Sequence, residues 1–365
     1  MMHRLSLTAV LYSPKEGGLL TQRKYEEALM KKRAVLSAIL VCLVSVAFMV
    51  TTADARPVTL KVSHQFAKGD VRDEMTRVFG AKVTEMTNGQ VKFRYYPASA
   101  LFKAKEQWDA MRMGSLDMSL FPLDYASGKV PQFSVSLMPC AVQNVAQGLT
   151  WRNKPIGKKL EAMMLENGVR NLAWAWFSGG IGSNVRQIKV PEDVQGVKLR
   201  AAGKKFEYMM KEAGASITSM PSSEAYQALA TGVIDTVLTS AASFVSYRLY
   251  EQLDYANVPT KYAIWYMAEN LCISEKTWQR LTADQQKAFL EVAEWMHQDW
   301  IIENFDALAK EMYDEYKKAG VEIHEMTKEE FAIWRDFAKK TAWKDFAENV
   351  EGGQEILDLA VDAME

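Results

Sequence analysis

Apolar and polar residues alternate from Val58 to Ser63 and again from Val91 to Tyr95, a period of two that predicts two strands. Between them, Asp70 to Thr87 carries apolar residues at helical spacing and closes on Asn88-Gly89, so the order is strand, helix, strand. That order favours parallel pairing in an α/β layer. Helical patterns over Val142 to Trp151 and Pro155 to Asn167 lead into the apolar run Val169 to Phe177, which reads as a buried strand. Ser178-Gly179-Gly180 follows and is expected to be the point where the chain crosses into a second lobe. Beyond it, Pro191-Glu192-Asp193 opens a helical turn, Gly196 to Arg200 is a strand, Lys204 to Ala213 a helix and Ala215 to Met220 a strand. Tyr262 to Ile273 is strand-like and is expected to return to the first lobe. Thr282 and Gln285 stand at capping-box spacing and start a helical region reaching about Lys318, long enough to brace both lobes.

Two segments spell the same phrase. Glu106 to Asp117 (EQWDAMRMGSLD) and Glu224 to Asp235 (EAYQALATGVID) align Glu, an aromatic, Ala, a large aliphatic, Gly, an aliphatic and Asp. Each predicts a helix ending at a left-handed glycine, Gly114 or Gly232, and then a short strand, Met118 to Phe121 or Thr236 to Leu238. Ser222 or Ser223 caps the second copy. Coincidence is the alternative to duplication. Two open α/β lobes would hold ligand beyond the carboxyl ends of their strands, with Pro122 to Tyr125 and Thr239 to Ser243 around a shared cleft.

Composition narrows the class. The chain has 365 residues, 48% hydrophobic and 24% charged, which suits a globular protein larger than one typical domain. Lys31-Lys32-Arg33, the apolar run Ala34 to Val50 and Ala53-Asp54-Ala55 have the order of a secretory signal, with cleavage expected after Ala55. Residues 1–29 then read as an upstream extension, and a retained membrane anchor is the alternative for the apolar run. Seven of the 44 basic and four of the 45 acidic residues fall in the first 55, leaving 37 against 41 and a net charge near −4. No nucleic-acid partner is expected from that balance. The mature chain keeps Cys140 and Cys272, without C-x-x-C spacing; they either pair or stay as buried thiols, and no metal site or cofactor is expected.

Catalytic signatures are absent. The four histidines (His3, His64, His297 and His324) form no H-x-x-x-H pair, and there is no G-x-S-x-G elbow or phosphate loop. Gly179-Gly-Ile-Gly182 lacks the third glycine of a dinucleotide loop. Asp117 and Asp124 are the carboxylates left for an acid–base pair, although Asp235, the twin of Asp117, suggests a structural role for both.

PEDVQGVKLR (Pro191 to Arg200) and, at the right distance, PSSEAYQALATGVID (Pro221 to Asp235) resemble the substrate-binding proteins of tripartite ATP-independent periplasmic (TRAP) transporters. KVSH near Lys61, TNG at Thr87 to Gly89, GSLDM at Gly114, Leu137-Met-Pro139, PIGKKL at Pro155 and LTADQQKAF at Leu281 follow in the family's order. The resemblance implies a two-lobed α/β periplasmic binding protein fold with crossing strands, a long bracing helix and an interlobe ligand cleft. On that reading lobe I comprises residues 56–177 and 265–304, and lobe II residues 178–264 and 305–365. It also implies a periplasmic receptor, not an enzyme, that binds a small organic acid and serves TRAP membrane permease subunits. A secreted hydrolase using Asp117 or Asp124, and a sensory binding protein, are the alternatives.

In the family, the arginine ending the G-x-K-x-R strand grips the substrate carboxylate; here that is Arg200. A guanidinium suits the task, being permanently charged, planar and matched to a carboxylate by two parallel hydrogen bonds. The chain departs from the family at Thr239 (for Asn), at Ser222 (for an aromatic), and at Ser178 to Asn184, which replaces a Gly-Phe-Arg motif. Arg186 is a candidate second cation or a solvated side chain. Losing the aromatic and the arginine is expected to enlarge the cavity, favouring a bulky aryl or apolar monocarboxylate over a sugar acid or dicarboxylate. Trp176, Phe177 and Tyr125 are candidates to stack on that body, or else core residues. His64, Gln65, Asp124, Asn184 and Ser240 complete the polar candidates.

Overall fold

The computed structural model describes residues 23–35, 37 and 57–364. Residues 23–35 form an exposed helix; the apolar run beyond residue 37, the cleavage site after Ala55 and Cys42 lie outside the described residues. Among the described residues no helix is long and apolar enough to cross a membrane.

From residue 57 onward the strands are β1 (Val58–Ser63), β2 (Val91–Tyr96), β3 (Met118–Pro122), β4 (Val169–Ala173), β5 (Trp176–Ser183), β6 (Lys198–Arg200), β7 (Ser216–Ile217), β8 (Thr236–Ser240), β9 (Tyr255–Val258), β10 (Trp265–Ser274) and β11 (Glu322–Glu325). In lobe I, β1 pairs in parallel with β2 and β3; in lobe II, β6 pairs in parallel with β7 and β8. The two sheets thus repeat the order outer, first, third, each with helices between its strands.

The repeated phrase supplies the same joint in both lobes. Asp117 Oδ2 accepts the backbone N–H of Lys61 in β1 (2.8 Å), and Asp235 Oδ1 accepts that of Lys198 in β6 (2.9 Å). Each lysine then bends its ammonium to a carbonyl of the glycine turn, Lys61 to Ser115 and Lys198 to Gly232. Gly114 and Gly232 have φ of 77° and 70°, where a Cβ would strain the backbone.

Two β-stretches carry the chain between lobes. The first half of β10 (Trp265 to Ala268) runs antiparallel to β5, and from Glu269 onward it pairs with β3 and β4. The outgoing stretch is β4 to β5, which changes sheet at Trp174-Ala175, and Glu269 N–H donates to Ala175 O (2.8 Å) where the stretches pass. The sheet changes therefore fall at 174/175 and 268/269, a few residues from the expected boundaries at 177/178 and 264/265. Ser178-Gly179-Gly180 is strand, not a crossing turn. A Cβ on Gly179 would stand 2.3 Å from Thr239 O, and one on Gly180 2.2 Å from Asn257 O; these glycines let neighbouring backbones approach.

The bracing region starts at Thr282, whose hydroxyl caps Ala283–Trp295 with Gln285 completing the box. It continues through a π-helical stretch, Met296–Trp300, and Ile301–Phe305, breaks at Asp306-Ala307, and resumes as Leu308–Ala319. Its first part lies on the lobe I helix Val71–Met86 and its last part on the lobe II helix Ala241–Ser246. The final helix, Gly353–Asp362, packs on lobe I helix Pro155–Glu166, so the expected assignment of all of 305–365 to lobe II is corrected. Its apolar stripe Ile356, Leu357 and Ala360 finds cover there. Cys140 and Cys272 are buried free thiols.

Candidate functional site

Arg200 ends β6 at the carboxyl edge of the lobe II sheet and is fully buried. Its Nε donates to Met220 O (3.0 Å), Nη1 to Leu238 O (2.8 Å) and Nη2 to Tyr125 Oη (3.2 Å). Nη1 and Nη2 each carry two N–H groups, so each keeps one with no partner among the described residues. No carboxylate pairs with this guanidinium among the described residues, and a buried cation without a counter-ion is costly.

Lobe I meets it through Tyr125. Besides Arg200, the hydroxyl accepts from Ser222 N–H (3.2 Å) and lies 3.4 Å from the Gln65 amide nitrogen. With two N–H groups donating to it, Tyr125 needs an acceptor for its own proton; turning the Gln65 amide over supplies one in Oε1. The buried amide position with no partner is then an N–H donor, again suited to oxygen ligands. Tyr247 Oη from lobe II donates to Gln65 O (3.1 Å).

Asp124, beside Tyr125, is buried and makes no side-chain hydrogen bond among the described residues; its Oδ1 is entirely closed off. Burial pushes its carboxyl up to about 8, the Glu207 carboxylate adds to this, and Lys204 and Lys105 offset it only in part. Asp124 and Tyr125 from lobe I and Gly203, Lys204 and Met220 from lobe II line a cavity of about 170 Å³. Tyr125 and Met220 bring that cavity to the partners of Arg200.

A second interlobe cluster forms around Arg72, which was not among the candidate residues. Arg72 starts the helix Val71–Met86 behind Asp70, whose carboxylate caps the helix at Arg72 N (2.8 Å). The guanidinium donates to both Asp70 oxygens (2.8 and 2.7 Å), Glu269 Oε1 (3.4 Å), Ser240 Oγ (3.1 Å) and Ser243 Oγ (3.1 Å), and its carbon lies 3.8 Å from the Phe66 ring centroid. Burial alone would raise the Asp70 carboxyl, but Arg72 outweighs it and holds Asp70 below its usual range. Glu269 is pushed up to about 7, chiefly by burial, with Arg72 opposing and Asp70 adding to the rise. One clue was legible: Arg72 lies on the helix stripe that continues through Met75, Phe79 and Val83.

The other candidates divide. Ser222 and Thr239 are buried near Arg200's partners, and Ser240 belongs to the Arg72 cluster while capping Ala241–Ser246. Phe177 lies 5.6 Å from the Arg72 guanidinium and stacks at 4.3 Å on Phe305. His64 donates from Nε2 to Asp73 Oδ1 (3.1 Å), leaving Nδ1 buried without a partner. Trp176 does not face the cleft: its ring packs on Trp151 (4.9 Å) and Trp174 (6.4 Å), where a Cβ on Gly148 would meet it at 2.4 Å. Asn184 and Arg186 are exposed beyond Ser183, the end of β5 beside Thr236, whereas the cleft lies at the Ser240 end of β8. Because β5 continues as strand through the glycines, they are carried away from Arg200. Nor is the vacated arginine position empty, since a Gly179 Cβ would meet the Trp265 ring at 2.5 Å. Asp117 is engaged by Lys61, Thr277 Oγ1 (2.7 Å) and Arg280 (3.1 Å), a structural joint rather than a catalytic acid.

Residues 62–349 match the family model described as bacterial extracellular solute-binding protein, family 7. The chain belongs to this family. It is 36% identical over 324 residues to a solute-binding protein of Albidiferax ferrireducens, covering 87% of this chain and 93% of that one. It is 29% identical over 296 residues to the C4-dicarboxylate-binding periplasmic protein DctP of Rhodobacter capsulatus, covering 77% and 84%. The crystal structure of a TRAP periplasmic solute-binding protein from Rhodoferax ferrireducens with bound malonate superposes with a TM-score of 0.81 at 36% identity, over 84% of this chain and 98% of that one. The receptor therefore has the two-lobed fold of TRAP solute-binding proteins, and its family is one of solute-binding receptors, not enzymes.

Proposed function

We propose that this receptor holds a compact organic acid by its carboxylate on Arg200 and delivers it to TRAP membrane permease subunits. The observation that carries the reading is the fully buried Arg200 guanidinium, which keeps one unused N–H on each terminal nitrogen and has no internal counter-ion among the described residues. A guanidinium with an unused N–H on each terminal nitrogen can bind a carboxylate through both oxygens. The lobes interconvert between open and closed forms, and the acid favours closure because only the closed form offers Arg200 together with Tyr125.

A bulky aryl or apolar body is the weaker choice. Trp176 is engaged in the core, Trp265 occupies the space beside Gly179, and the cavity at Asp124 and Tyr125 is small. The malonate bound by the Rhodoferax relative supports a short acid. The periplasm, reached after cleavage at Ala55, is the compartment this reading requires, and N-terminal sequencing of the exported protein checks it.

Mass spectrometry of small molecules released on denaturing the purified receptor identifies the acid, and titration calorimetry of Arg200→Ala tests the grip. Binding should weaken by about 2 to 5 kcal/mol, or roughly 1.5 to 3.5 decades. Undiminished affinity in that variant refutes the assignment.

A further inference from the structure

Arg335, Lys339 and Trp343 follow one another at every fourth position along the helix Lys328–Ala338 and its π-helical continuation Lys339–Trp343, which sets them on one face. Together with Cys140, Val361 and Met364 they wall a cavity of about 190 Å³, which shares no lining residue with the cavity at Asp124 and Tyr125. Two cations so spaced repel each other. Among the described residues neither pairs with an acid. Arg335 Nε is buried without a partner, although buried polar groups are nearly always hydrogen-bonded. The cations lie instead over rings, Arg335 at 5.8 Å from the centre of Phe331 and Lys339 at 5.7 Å from that of Trp343. Neighbouring polar groups are already engaged. Gln147 Oε1 accepts Gln143 N–H (2.8 Å) while its Nε2 donates to Met364 O (2.8 Å), and Trp343 Nε1 donates to Pro139 O (2.8 Å). Cys140 supplies no charge either, because burial holds its thiol well above the usual range and Arg335 offsets this only in part.

We propose that this cavity is an anion site separate from Arg200, taking a small organic monoanion whose carboxylate or sulfonate head meets Arg335 and Lys339 while a short apolar tail lies against Trp343, Val361 and Met364. It stands whether or not Arg200 grips a carboxylate. The volume is well above the ~10 to 15 Å³ that admits one water, so the space suits a small molecule. A guanidinium meets a planar or tetrahedral oxyanion through adjacent N–H groups, and the Lys339 ammonium adds a movable point charge beside it. Inorganic phosphate fits less well, since it would leave the indole, Val361 and Met364 facing oxygen atoms and would find no hydrogen-bond donor free in Gln147 or Trp343. Cys140 holds φ of 58°, a left-handed conformation that side-chain-bearing residues seldom adopt and that collects where ligands bind.

The test is NMR of the full receptor labelled at its methionine methyl groups, with Met364→Leu assigning the signal from the cavity. The probes are butyrate, ethanesulfonate, inorganic phosphate and butyramide, the uncharged counterpart of butyrate. Butyrate and ethanesulfonate should move the Met364 signal to saturation, with phosphate and butyramide each weaker by about 10-fold or more. Arg335→Gln combined with Lys339→Gln should weaken both organic anions by at least about 10-fold. Lys339→Gln alone changes an exposed side chain and should give part of that loss, so the reading survives a double variant that folds poorly. Arg200→Ala should leave the Met364 response as it is in the parent. A Met364 signal that no anion moves, butyramide or phosphate binding as well as butyrate, a response kept in full by the charge-removing variants, or one lost in Arg200→Ala overturns the assignment.

Discussion

Ser243→Ala removes one acceptor from a buried guanidinium while sparing both of its carboxylate partners. In the closed molecule every N–H of Arg72 is used: one from Nε and one from Nη2 on Asp70, two from Nη1 on Ser240 and Glu269, and the second from Nη2 on Ser243 at 3.1 Å. Without the Ser243 hydroxyl, one N–H of a cation with no solvent exposure loses its partner, a cost of about 1 to 3 kcal/mol. The cost exists only while the lobes are together, since separating lobe I from lobe II returns Arg72 to water. For a receptor that rests open, closure becomes about 5- to 150-fold less favourable, and apparent affinity falls by the same factor because the competent form is rarer. Titration calorimetry reads the affinity, and small-angle scattering at an acid concentration that half-saturates the parent reads the shift towards the open form. Affinity within twofold of the parent, with an unchanged radius of gyration, refutes the role of these serine contacts in holding the lobes together.

Two further predictions concern stability. Glu269, raised from 4.5 to about 7, keeps in the folded state a proton that the unfolded chain releases, so its contribution is full below about pH 4.5 and is lost as pH rises through 7. Glu269→Gln should match the parent near pH 4.5 and exceed it by up to roughly 3 kcal/mol above pH 7; urea unfolding across that range checks it, and a difference independent of pH refutes it. Gly180→Ala would place a methyl group 2.2 Å from the backbone oxygen of Asn257 and should lower stability by about 1 to 3 kcal/mol. An unfolding midpoint equal to the parent's would show that β5 and β9 can part without cost.

Local rules carried the sequence reading as far as the joints between elements. The twin phrases were legible because a left-handed glycine and a strand-starting aspartate serve the same purpose in both lobes, at Gly114 and Asp117 and at Gly232 and Asp235. Arg200, Tyr125, Ser222, Gln65 and Asp124 come together because each ends or follows a strand at the carboxyl edge of its sheet. Long-range packing was hidden. Glycine at 179 and 180 reads as a turn until the neighbouring backbones of Thr239 and Asn257 are known. Moving the crossing from 178 back to 174 then puts Trp176 inside β5, packed on Trp151 and Trp174, and it carries Asn184 and Arg186 off the cleft. The Arg72 cluster joins residues 168 and 197 positions apart in the chain, a separation no local pattern encodes.

Where the sheets pass between lobes, they do so as two antiparallel stretches tied to one another by Glu269 N–H and Ala175 O. A paired ribbon flexes readily out of its own plane but resists shear within it, because sliding would break the bonds that join its halves. For lobes that open and close as proposed, this ribbon favours a swing about one axis, like a book on its spine, which would return Tyr125 to the same place over Arg200.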